Sequence, residues 1–97
     1  MKSIAANLVM RERIETTTAR AKEVRPFVER LLTVAKRQNL ASLRALVANL
    51  PKDSAEKLYY DIAPRYRERR GGYLRITKRT ETRKRDGVPV AVIEFVK

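Results

Sequence analysis

Ten basic side chains stand between positions 65 and 85: Arg65, Arg67, Arg69, Arg70, Arg75, Lys78, Arg79, Arg83, Lys84 and Arg85. Only Glu68 and Glu81 answer them, so ten against two leaves a local excess of +8 in 21 residues. Planar guanidinium forks grip phosphate oxygens in pairs and stack on bases, so the chemistry on offer is recognition of a polyanion. A solvated hairpin kept soluble by charge is the plainer alternative, but solubility does not require clustering of one sign. The pattern therefore favours an electrostatic footprint for a phosphate backbone. Tyr66 and Tyr73 lie among these cations and are expected to be half-buried packing residues rather than platforms for bases.

The whole chain of 97 residues carries 23 Lys+Arg and 11 Asp+Glu, a formal +12, of which the cluster holds two-thirds. A charge of this size calls for a polyanionic partner, because it otherwise costs self-repulsion in the compact state. Nucleic acid leads and an anionic membrane surface follows. The membrane reading fails on form, since the cluster falls on a hairpin rather than on the polar face of an apolar helix. A second set on the helices, Arg11, Arg13, Arg20, Lys22, Arg25, Lys36, Arg37 and Arg44, is interrupted by Glu12, Glu15, Glu23 and Glu29. For these, ordinary surface charge and RNA contact weigh evenly.

Catalytic chemistry has little to work with. There is no Cys and no His, which removes zinc fingers, thiol nucleophiles, disulfides and imidazole bases. The carboxylates are scattered singly, and Ser3, Ser42 and Ser54 have no histidine to activate them. No Gly-rich phosphate loop is present; Gly71-Gly72 alone marks a turn. We therefore expect no enzyme, no cofactor, no metal and no small-molecule substrate. The longest apolar run, Val88 to Ile93, is far short of the ~20 residues that span a bilayer, and the start lacks a signal-peptide core. A cytoplasmic protein is expected.

The elements that must position these side chains follow from periodicity. Ile4, Ala5, Leu8 and Val9 predict a short amphipathic helix over 1–11, and Ile14 with Thr16 to Thr18 predicts a short strand over 13–18. Val24, Phe27, Val28, Leu31, Leu32 and Ala35 form the stripe of a second helix over 19–38, capped by Thr17 or Thr18 and kinked or restarted by Pro26 near Val24 to Arg25. A third helix, over 40–50, is capped by Asn39, turns Leu40, Leu43, Leu46, Val47 and Leu50 inward, and stops at Pro51. Asp53 and Glu56 imitate a capping box that opens a fourth helix, with Pro64 expected to bend or break it. After an Arg-dense turn and the diglycine, 73–80 and 88–96 read as strands, with Ala91, Ile93 and Phe95 facing the core. The sum is an α+β fold: one two-layer domain over 1–97, in the order α-β-α-α-α-β-β, with a small mixed sheet packed against helices and a basic hairpin within 65–87.

Several stretches resemble the bacterial large-subunit ribosomal protein L17 family: RERIETTTARAKEVRP (Arg11 to Pro26), LLTVAKR (Leu31 to Arg37), DIAPRYRERRGGYLRITK (Asp61 to Lys78) and DGVPVAVIEFV (Asp86 to Val96). They follow the family's order and spacing over nearly the whole chain. The resemblance implies a structural constituent of the large subunit, bound to its long ribosomal RNA beside neighbouring ribosomal proteins, towards the nascent-chain exit side. It implies RNA contact at Lys22, Arg25, Lys36, Arg65, Arg70, Arg75 and Lys78. The cluster itself adds Arg67, Arg79, Arg83, Lys84 and Arg85. Two departures stand out. The basic arm that precedes the first helix in family members is expected to be absent or trimmed, and Thr77, Arg79 and Arg85 occupy places that are usually apolar or glycine. A standalone DNA- or RNA-binding architectural module is the competing reading. Against it, the third helix carries one cation, Arg44, where a recognition helix would be rich in Arg, Asn or Gln.

Overall fold

A computed structural model describes residues 2–82 and 89–96. The order is α1 (Lys2–Arg11), β1 (Arg13–Thr17), α2 (Thr18–Ala35), α3 (Leu40–Asn49), α4 (Lys52–Lys57), a π-helical turn (Leu58–Ile62), α5 (Ala63–Arg65), β2 (Leu74–Thr82) and β3 (Pro89–Phe95). Helices form one layer and a three-stranded sheet the other, so the α+β class read from the sequence holds.

The sheet is ordered β1-β3-β2, and both pairings are antiparallel, which corrects the mixed sheet expected above. β1 and β2 run the same way but never meet, because β3 lies between them. Register places Ile14, Ile93 and Ile76 in one row, and Leu74 beside Phe95, on the face covered by helices. The opposite row, Arg13, Glu94 and Arg75, lies on the uncovered face. Ala91, Ile93 and Phe95 are buried as the alternation requires, and Val92 on the uncovered face is buried as well.

α2 is the central helix: Ala21, Val24, Val28, Leu31, Leu32 and Ala35 are all buried against the sheet and the other helices. It runs through Pro26 without a break, unlike the predicted kink or restart. Pro26 lies on the exposed side of the helix, where the carbonyl it leaves unbonded can meet water. Thr17 caps the helix, its hydroxyl accepting from the Arg20 N–H at 3.2 Å. α3 opens with a reciprocal cap between Asn39 and Ser42. Leu46 and Leu50 are buried as expected, but Leu40 and Val47 are exposed, because packing against α2 and α4 does not cover so wide an apolar face. α4 starts two residues earlier than its capping box would place it: Pro51 is the cap, and the Asp53 carboxylate accepts from the Ser54 N–H, at 2.9 Å. Pro64 does not end the helix outright. The turn before it widens to π geometry, with the Ala63 N–H donating back to the Leu58 carbonyl, and the helix stops at Arg65.

Candidate nucleic-acid interface

The predicted cations fall into two groups, and what separates them is whether the chain's own acceptors already hold them. Arg65 belongs to the first group. Its guanidinium donates to both Glu12 oxygens and to both Asp61 oxygens, the latter at 3.0 and 3.1 Å. Lys57 joins the cluster, 3.2 Å from Glu12 and donating to the Met10 carbonyl at 2.7 Å. Glu12 sits at the joint between α1 and β1 with φ +66°, a left-handed conformation with nothing glycine-like in the sequence to signal it. Its N–H donates to Leu8 and its carbonyl accepts from Phe95, so the strained joint is held from three sides. The Arg65 guanidinium holds the Glu12 carboxyl below the usual carboxylate range, and Glu12 in turn raises Arg65.

Lys36 is also occupied. Its ammonium donates to the Arg69 carbonyl and to the Tyr73 hydroxyl, the latter at 2.8 Å, and sits 4.9 Å from the centre of the Tyr73 ring. Burial pushes the Tyr73 phenol up, but hydrogen bonds with Lys36, the Gly71 backbone and Thr33, together with the Lys36 charge, outweigh it, and the net direction is down. Tyr66 donates to the Val96 carbonyl, packs edge-on to Tyr73 at 5.4 Å and lies beside Phe95; burial pushes its phenol up. Both tyrosines are packing residues, as the sequence suggested, and they are buried rather than half-buried.

These contacts build the approach to β2. Gly71 and Gly72 turn the chain at φ +96° and +64°, conformations that favour glycine. The Arg69 guanidinium bonds their carbonyls at 3.3 and 3.2 Å. Glu29 then reaches from α2 and accepts from the Tyr73 and Leu74 N–H groups at 3.3 and 3.2 Å. Leu74 is the first residue of an edge strand, and Glu29 supplies the acceptor that no neighbouring strand provides. The sequence offers no signal for this bond, since the two partners are 45 positions apart.

The second group is open. Lys22, Arg25, Pro26 and Glu29 of α2 line a groove of about 440 Å³ with Gly72 and Ile76. Lys78 follows Ile76 by two along β2 and therefore shares its face. Arg25 lies 3.7 Å from Glu29, whose oxygens are already shared with the two backbone donors. Among the described residues Lys22, Arg67, Arg70 and Lys78 make no side-chain hydrogen bond or ion pair, and all four are exposed. Arg75 and Arg79 lie between the groups. They project from the uncovered face, paired with Glu94 at 2.5 Å and with Glu15 at 2.9 Å, yet remain 62% and 43% exposed. Polar residues suit Thr77 and Arg79 because that face meets no helix. Arg83, Lys84 and Arg85 lie outside the described residues. Among those described, no group of three Asp or Glu residues could hold a metal ion, and no helix is long and apolar enough to cross a membrane.

A layer of helices on one face of a small antiparallel sheet, with unanswered cations along its edge, defines a small basic α+β scaffold protein. The family model for ribosomal protein L17 matches residues 1–96. The chain is 45% identical over 97 residues to the large ribosomal subunit protein bL17 of Hydrogenobaculum sp. (strain Y04AAS1), covering 99% of this chain and 82% of that relative. It is 45% identical over 105 residues to bL17 of Shouchella clausii (strain KSM-K16), covering 99% and 87%. Against bL17 of Orientia tsutsugamushi (strain Boryong) the identity is 48% over 95 residues, covering 97% and 65%. The chain belongs to the ribosomal protein L17 family, whose members are structural components of the ribosome and not enzymes.

Proposed function

We propose that the chain is a constituent of the large ribosomal subunit, cytoplasmic in bacteria, that binds ribosomal RNA along the groove between α2 and β2, beside neighbouring large-subunit proteins. The observation that carries this is the convergence of Lys22, Arg25 and Lys78, from two distant stretches of sequence, on one side of the sheet. Arg67 and Arg70 extend the surface from the turn that precedes it, and Arg83, Lys84 and Arg85 follow β2 in sequence. Recognition along this surface is of backbone and shape, since Tyr66 and Tyr73, the rings interleaved with its cations, are buried. Arg75 and Arg79 contribute from the uncovered face, while Lys36 and Arg65 serve the fold.

Sedimentation of tagged protein with large subunits tests this reading. The chain should travel with the subunit, and replacing Lys22, Arg25 and Lys78 by Gln should release it at moderate salt while its melting temperature stays near that of the parent. Co-sedimentation that ignores these three changes would refute the groove as the main RNA contact.

A further inference from the structure

The other edge of the sheet carries a second set of open cations. β1 has a neighbour on one side only. Arg11 at the end of α1 and Arg20 in the first turn of α2 flank that strand, and with Arg13, Asn7, Glu15 and Thr16 they line a hollow of about 450 Å³. A further hollow of about 620 Å³ continues past the start of the strand and shares Arg11 and Arg13. Among the described residues the guanidiniums of Arg11 and Arg20 meet no carboxylate. The nearby carboxylates are engaged elsewhere: Glu12 by Arg65 and Lys57, Glu15 by Arg79, and Glu94 by Arg75 as well as by Arg13 at 3.4 Å. An anionic strand entering this trough therefore meets two unanswered guanidiniums, the neutral hydrogen-bonding groups of Asn7 and Thr16, and one carboxylate, Glu15, whose charge Arg79 already offsets at 2.9 Å.

We propose that the β1 edge is a second site for an RNA phosphate backbone, so that one chain holds two RNA segments, one against each edge of its sheet. Three strands spaced about 4.8 Å apart set the two edges about 10 Å apart. That is close to the Debye length in physiological salt, about 8 Å, so two backbones at this spacing still repel unless fixed cations lie between them. The open cations on both edges supply that charge, which a single contact surface does not need. The inference goes beyond the α2–β2 groove and rests on the proposed function only for the identity of the ligand. An acidic protein segment is the rival occupant of the trough.

Two short A-form RNA hairpins, one carrying a donor dye and one an acceptor, separate the possibilities when mixed with the full chain. The parent should bind two RNAs per protein and give energy transfer that fades when protein is in excess. Arg11→Gln with Arg20→Gln should keep one RNA, lose the transfer and melt as the parent does, because both side chains are exposed and unpaired. Transfer that survives this double change overturns the proposal, as does a parent that binds one RNA only. No RNA binding by the parent at all would instead sink the proposed function. A double variant that still bridges RNA but no longer binds a poly-glutamate peptide would assign the trough to an acidic protein segment.

Discussion

The arginine at position 65 and the lysine at position 22 are both basic, both exposed and both part of sequence stretches that match one family, yet their surroundings differ. Arg65 is held by Glu12 and Asp61 and ties the joint after α1 to α5. Lys22 has no partner among the described residues and lines a groove with Arg25. The difference teaches that net charge measures how many cations a chain carries, whereas the proposed RNA contact draws on those it leaves unanswered. Lys36 makes the same point, since its ammonium sits against the chain's own carbonyl and phenol.

The boundary between the two groups runs through Glu29, and the largest effect is expected there. Glu29→Ala leaves the Tyr73 and Leu74 N–H groups without their charged acceptor and should destabilise the fold by about 2–3 kcal/mol. Glu29→Gln keeps one acceptor oxygen and should cost about half as much. Thermal or urea unfolding measures both, and equal stability of parent and Ala variant would show that β2 is positioned by something else. Next in size is the open group: Lys22→Gln, Arg25→Gln and Lys78→Gln together should weaken RNA binding by roughly tenfold or more near physiological salt, with unfolding unchanged.

Smaller effects sharpen the answered group. Tyr66→Phe removes the hydrogen bond to the Val96 carbonyl and should lower stability by about 1 kcal/mol without altering RNA affinity. Glu12→Gln removes a partly exposed set of ion pairs worth about 1 kcal/mol or less. Its sign with pH is fixed. The folded carboxyl has the lower pKa, so its contribution is complete above the ordinary glutamate range and disappears as pH falls through the folded value. Parent and Glu12→Gln should therefore differ at neutral pH and converge in acid, as urea midpoints at several pH values would show. A gap that widens in acid would contradict the assignment.

Much of the scaffold was legible in the sequence, because it rests on local rules. The 3.6-residue stripe of α2, the caps at Thr17 and Asn39, the diglycine turn and the alternation in β3 all appear where residue types and spacing put them. What escaped depends on distant partners or on which face is covered. Pro26 is tolerated because its side of the helix is exposed, and Leu40 and Val47 face out because nothing packs over them. The αL conformation of Glu12 and the bonds from Glu29 to β2 have no local signature. For the candidate site, the sequence lists the cations but does not sort them: Lys22, Arg25 and Lys78 come together, while Lys36 and Arg65 are held by the chain's own acceptors.

The central claim is that arrangement, not total charge, sets RNA binding. The most direct measurement is affinity for a large-subunit RNA fragment as a function of salt, for the parent and for two variants. One replaces the open Lys22, Arg25 and Lys78 by Gln, and the other replaces the answered Lys36 and Lys57 by Gln. The log-log slope should become shallower by about 0.9 for each lost phosphate contact in the first variant and stay at the parent value in the second. Slopes that fall in proportion to the number of cations removed, whichever group they come from, would contradict the account.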